Sequence, residues 1–332
     1  MKKYAVLRIL LLFLLLIFSI LLGILFGSVS LTFSDILNVL TGTDTSSTAY
    51  ILLTTVRLPR VLGGLFAGVG LSCAGVILQS VMNNSLASPN TIGVNAGSGF
   101  AVMLAMIFFP ANSFYIPVFA FSGALFTTLA IFLLASLSDS SRTTIILAGI
   151  TVSSFLNAGI NTIKILDTDI TVNLTSFLAG TLSGLTLNKI KFPCICILLA
   201  FFVTMLFAEP LNLLSLGDNI AHSLGVRVSL MRFLLLALAS ILAGCVVSYA
   251  GLLSFIGLIV PHICRRLFGN DARFLLPCSA LLGAAFVILC DLLGRIIAAP
   301  FEIPAGILMS FIGGPFFLFL LLKKKGGRRV HA

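Results

Sequence analysis

Charge is what this sequence of 332 residues lacks most: Asp, Glu, Lys and Arg make up 9% of it, against 59% hydrophobic residues. A soluble domain holds nearer a quarter charged residues, so an ordinary water-soluble fold is excluded. Catalytic signatures are missing as well. There is no G-x-x-x-x-G-K-S/T phosphate loop, nucleophile elbow or H-E-x-x-H pair, so the chain cannot itself hydrolyse ATP. No C-x-x-C spacing occurs either. The seven cysteines (73, 194, 196, 245, 264, 278 and 290), odd in number and set in or beside apolar segments, read as small buried hydrophobes, not a disulfide frame or metal site. With His222, His262 and His331 far apart, a metal cluster has little support. Deep acids are almost absent: Asp291 stands alone, which disfavours a secondary transporter built on midplane ion or proton ligands, and no convincing inverted repeat is visible. An intramembrane enzyme would need paired catalytic residues within the apolar runs, and none is convincing.

What the sequence holds instead is apolar runs of about 20 residues separated by short polar turns, the length of membrane helices rather than of barrel strands. The expected fold is all-α: a single polytopic membrane domain over residues 1–332, embedded in the lipid bilayer. About ten spans are read, at roughly 9–28, 60–80, 92–109, 116–135, 145–163, 192–208, 230–249, 255–268, 274–297 and 305–322. The basic start MKKYAVLR resembles a signal peptide, but the following apolar run is too long and lacks an A-x-A-like site, so a retained first span is expected. If that span starts in the cytoplasm, alternation leaves Arg57, Arg60, Lys164, Lys189, Lys191 and Arg295 outside and the rest of the 20 lysines and arginines inside. This bias satisfies the positive-inside rule and puts both termini in the cytoplasm. The formal charge of +10 therefore orients a bundle and does not point to nucleic acid.

Five stretches carry more than hydropathy. In Ser254–Pro277 the run SFIGLIV meets Pro261, which lacks an N–H and is expected to stop the helix beside the basic turn of His262, Arg265, Arg266, Asp271 and Arg273. Such a break at depth must be buried in protein or line water. In Arg57–Phe100 the spacings Gly64/Gly68 and Gly93/Gly97 predict close helix contact and a central position for the second span, with MNNSLASPN turning the chain afterwards. The stretch LNLLSLGDNIAHSLGV, with Gly217 and Gly225 as breakers, fits two short helices with a bend; composition alone leaves it equally an interfacial amphipathic turn. The connection SLSDSSRTT reads as a solvated loop, and KILDTDITVNLTSFLAGTLSG as a short outer helix with Gly180 and Gly184 packing near the mouth. Asp291 lies four residues before Arg295, so the two can pair on one helix face, and Glu302 is placed to cap the last span. Arginines at helix ends, such as Arg57, Arg60 and Arg295, ordinarily snorkel to the interface.

RLPR with the glycine-rich helix and Gln79, the N-x-L-A-x-P turn, LNLLSLGDNIAHSLGV, GLIVPHICRRLFG and EIPAGILMSFIGGPFFLFLL together resemble the permease subunit of binding-protein-dependent ABC importers for iron chelates and vitamin B12, over most of the chain and in the family's order. The resemblance implies the type II importer architecture. That means a ten-span subunit working as a homodimer in the bacterial plasma membrane, with cytoplasmic ATPase subunits, an extracytoplasmic binding protein and no cofactor. It implies that Arg57, Arg60 and Arg295 receive glutamates of the binding protein, and that Leu216, Gly217, Asp218, Ala221, Leu224 and Gly225 seat in a groove of the ATPase. Ser141 and Thr143 are implied at the cytoplasmic gate. The cargo expected is an iron–siderophore, with haem and cobalamin behind, moved by alternating access; the alternative is an ion-coupled secondary transporter using Asp291. The sequence departs from the pattern where N-P-L-A reads Asn84-Ser85-Leu86-Ala87, where Asp218 replaces Glu, and where an aromatic before GTLSG is missing.

Overall fold

The structure is a computed structural model that describes residues 2–27, 39, 48–110, 114–137 and 141–326. The middle of the SLSDSSRTT connection (138–140) and the basic residues Arg328 and Arg329 counted for orientation lie outside the described residues, as do the side chains of Lys2, Lys3 and Lys323–325. Among the described residues, apart from a short 3-10 turn at Pro89–Ile92, thirteen helices follow in order: α1 Lys2–Leu25, α2 Thr48–Val81, α3 Val94–Phe108, α4 Tyr115–Ser136, α5 Arg142–Leu166, α6 Thr168–Ala179, α7 Leu187–Leu206, α8 Ala208–Ser215, α9 Asp218–Ser223, α10 Val228–Ala250, α11 Ile256–Phe268, α12 Ala272–Ile297 and α13 Ala305–Gly326. Each expected span falls on one of these, and α6, α8 and α9 are the short extras. Seven are long and apolar enough to cross a membrane, while α3 and the first part of α13 are shorter apolar helices.

Glycine explains the order of packing. A Cβ on Gly68 would fall on the backbone of Gly283, and one on Gly75 on the backbone of Gly257, so α2 lies in direct backbone contact with α12 and α11. Without a hydrophobic drive between helices in lipid, such approach is what holds them. The α2 span is accordingly the most enclosed, 78% of its core window being buried, and α10, α7 and α1 pack around it. It also extends back to Thr48 through a π-helical turn, Leu52–Arg57, that ends at Arg57. At the edge, α1 turns Leu12, Leu16 and Ser19 inward and leaves Leu10, Leu11, Phe13 and Leu14 outward, as a lipid-facing helix does.

The break expected at Pro261 lies elsewhere. Helix α11 runs straight through Pro261. The carbonyl four residues earlier, Gly257 O, loses its N–H partner to the proline and instead accepts from Gln79 Nε2 at 3.0 Å, which is how the helix tolerates it. The helical path is interrupted upstream, at Gly251–Phe255, where Gly251 (φ +70°) and Phe255 (φ +66°) adopt left-handed backbone. Neighbours satisfy this irregular stretch: Leu252 N–H donates to Phe177 O (3.0 Å) and Ala250 O accepts from Thr181 N–H (2.9 Å). Gly180 is confined by the same segment, since a Cβ there would meet Leu252 O.

Candidate functional site at the two ends of the bundle

The first cluster forms at the end of the bundle where α1 finishes. A helix terminus leaves its last four carbonyls without partners; in α1 Phe26 N–H takes Leu22 O, and two arginines take the other three. Arg57 Nη1 donates to the carbonyls of Ile24 and Leu25, the latter at 2.7 Å, and the Arg295 guanidinium donates to Gly23 O and Phe26 O at 3.2–3.3 Å. Positive charge at a helix C-terminus is favoured by the dipole as well. Arg60, just past the π-helical turn of α2, bridges two carboxylates. Its Nε lies 2.8 Å from Asp291 Oδ2 and its Nη1 lies 2.9 Å from Glu302 Oε2. Arg295 approaches the same Asp291 oxygen at 3.2 Å.

Arg57, Arg60 and Arg295 thus come together, and in place of snorkelling to the interface they are only 3–5% exposed and bonded within the chain. Asp291 does meet Arg295, and the structure adds Arg60 as its closer partner. Glu302 corrects the capping expectation: its carboxylate is drawn to Arg60 and does not close the end of α13. Burial alone would raise the Glu302 carboxyl, but the hydrogen bonds and charge of Arg60 outweigh it and hold the group below its ordinary value. With its side chain 32% exposed, Glu302 is the one carboxylate of the cluster that reaches solvent.

The second cluster lies at the other end. The expected pair of short helices is present as α8 and α9, with the bend at Leu216–Gly217. Gly217 (φ +117°) and Gly225 (φ +85°) hold conformations that an L side chain strains. Leu211, Leu214 and Ala221 anchor the pair in the core, whereas Leu216, Ile220 and Leu224 stay 58%, 48% and 59% exposed. Three ties fasten it to long helices. Arg142, the first residue of α5, donates to Leu214 O (2.9 Å) and Asp218 Oδ1 (2.7 Å). Arg232 of α10, 3% exposed, holds the other oxygen of Asp218 at 2.7 Å. Asn212 of α8 bridges to α12, donating to Asp271 Oδ1 (2.9 Å) and accepting from Ala272 N–H (2.7 Å).

For Asp218, burial pushes the carboxyl up, but Arg232 and then Arg142 pull it further down, so it is held below its ordinary value. Asp271 is lowered chiefly by Arg273, whose side chain it binds, and further by Asn212. Beside this cluster Ser141 caps α5, its Oγ accepting from Thr144 N–H at 3.2 Å, while Thr143 is exposed in the first turn. The roles of Arg142, Arg232 and Asn212 were not foreseen. The available signal was scarcity: with only ten acids in the chain, Asp218 is one of few partners open to a basic residue buried nearby, though Arg57 shows that backbone carbonyls serve as well.

Known proteins give this architecture its place. Residues 15–323 match the FecCD transport family. The Fe(3+)-citrate import system permease protein YfmE of Bacillus subtilis (strain 168) is 40% identical over 267 residues, 80% of each chain. The iron-uptake system permease protein FeuB of the same organism is 34% identical over 313 residues, 94% of this chain and 93% of that one. A transporter described as of the metal-chelate ABC type, solved in an inward-facing conformation, superposes with a TM-score of 0.83 at 31% identity, covering 95% of this chain and 99% of that one. On the family match and on these two relatives, this multi-pass, all-helical membrane protein belongs to the FecCD transport family.

Proposed function

We propose that this chain is the permease subunit of an ABC importer that carries a ferric chelate into a bacterial cytoplasm through the plasma membrane. It works as a homodimer with both termini inside, energised by separate ATPase subunits and loaded by an extracytoplasmic binding protein. The single observation that carries this beyond family membership is the α8–α9 pair. It shows three large apolar side chains outward at a polar end of the bundle, yet its root is tied by ionic and amide bonds to α5, α10 and α12. An exposed apolar patch on a rigid base is what a docking partner recognises. Leu216, Leu224 and Ile220 then seat in the ATPase, Gly217 and Gly225 set the bend, and Ala221 and Asp218 fix the pair to the bundle. Closure of the ATPases on ATP is transmitted through Asp218 to Arg142, beside the gate residues Ser141 and Thr143.

At the far end the Arg57–Arg60–Arg295 cluster is proposed to receive the binding protein, an incoming carboxylate replacing the partly exposed Glu302 on Arg60. Arginine forks suit that exchange, since one planar pattern of donors accepts either carboxylate. The cargo follows from the relatives, whose names specify iron citrate and iron uptake. Reconstitution in proteoliposomes with the cognate ATPase and binding protein tests the reading: iron(III)-chelate uptake must require ATP, and a cysteine at Leu216 or Leu224 must cross-link to the ATPase. Uptake without nucleotide, or no cross-link across several positions, overturns it.

A further inference from the structure

The interrupted segment Gly251–Phe255 lies deep. Helix α11, 13 residues long, rises about 20 Å at 1.5 Å per residue, so Phe255 stands about 20 Å from the α8–α9 end of a hydrocarbon layer about 30 Å thick. At this depth two cavities, of about 90 and about 350 Å³, meet at Ser254. Asn90 and Asn95, from the turn before α3 and from its first helical turn, line the smaller one with Ser254, and Ser310 of α13 lines the larger. Among the described residues the side chains of Asn90, which is exposed, and of Asn95 and Ser254, which are half-buried, have no hydrogen-bond partner. Polar side chains left unpaired in hydrocarbon cost about 1–3 kcal/mol each by mutational measures, so such a group at this depth faces water or a ligand, not lipid.

We infer that this crevice is a water-filled contact station for the cargo and that it takes ferric chelates whose rim presents carboxylate or hydroxamate oxygens. Primary amides and a hydroxyl donate to such oxygens, and no charged side chain lines either cavity. Contact by neutral donors orients the cargo without trapping it, as a pathway needs, since binding must be weak enough to release. The smaller cavity fits one arm of a chelate, with the bulk of the complex beside it.

The inference rests on the importer reading, and its test separates the two. In proteoliposomes holding the complete importer, Asn95→Cys, Ser254→Cys and a lipid-facing control, Phe126→Cys, are exposed to a membrane-impermeant charged thiol reagent, with wild type as background. Modification at 95 and 254 should exceed the control by at least about tenfold and fall when iron(III)-citrate or an iron(III)-trihydroxamate is delivered with the binding protein. The double variant Asn90→Leu/Asn95→Leu should raise KM for these probes by about two- to tenfold, the worth of one or two neutral hydrogen bonds, with ATPase docking unchanged. A station that stays unmodified is dry or lipid-filled and overturns the inference, as does modification that neither probe reduces. A wild-type complex that imports no iron chelate under ATP counts against the importer reading itself.

Discussion

At the scale of single residues, absent side chains and misplaced charges have the largest effects. Gly68 touches the Gly283 backbone, so Gly68→Ala forces α2 from α12 and should destabilise the protein by about 1–3 kcal/mol, as overpacking does. Gly314, which has open space where a methyl would sit, is the matched control: Gly314→Ala should be neutral or slightly stabilising by thermal unfolding in detergent. Arg60→Met strips Asp291 and Glu302 of their shared partner and leaves a carboxylate 4% exposed with Arg295 alone. Breaking a buried pair this way costs about 3–5 kcal/mol, and in a double-mutant cycle Asp291→Leu should recover much of the loss. Additivity of the two substitutions would show that the pair carries no coupling.

Among elements, the α8–α9 pair is where stability and the proposed transmission coincide. Asp218→Asn keeps the exposed leucines but weakens both arginine ties, so the ATPase should still dock and hydrolyse ATP while less chelate moves per ATP. A fall in docking equal to that of Leu216→Ala would reassign Asp218 to the contact itself. The acid sensitivity of the element has a definite sign. Asp218 and Asp271 are both lowered in the folded protein, so their stabilisation is complete above the ordinary carboxylate pKa of about 4 and disappears as pH falls through the lower folded values. Amide exchange in α8 and α9 should therefore be equally protected at pH 8 and pH 5, after correction for intrinsic rates, and lose protection only below about pH 4. Loss of protection between pH 7 and 5 would show that another group controls the element.

For the whole molecule, what could be read in advance was whatever depends on local pattern. Apolar run length located the helices that match the ten expected spans, and glycine at helical spacing placed α2 at the centre, because both act within one or two turns of chain. Pairings across the sequence were not legible. Arg60 finds Asp291 at a separation of 231 residues, and Arg142 finds Asp218 at 76, through packing that no local signal encodes. Pro261 misled for a physical reason: the carbonyl it orphans is met by Gln79 from another helix, so a residue that breaks an isolated helix leaves this one intact. The left-handed turn at Phe255 gave no warning, as an aromatic is an unusual choice there.

In the proposed function, a separate ATPase drives the α8–α9 pair and so moves a ferric chelate through the bundle. Measuring iron(III)-chelate uptake and ATP hydrolysis together in the same proteoliposomes, with ATPase present or omitted and with or without a proton or sodium gradient, tests this most directly. Uptake is expected only where ATPase and ATP are present, in constant proportion to hydrolysis and indifferent to the gradient. Uptake at the full rate under an ion gradient, with the ATPase left out, would contradict the claim.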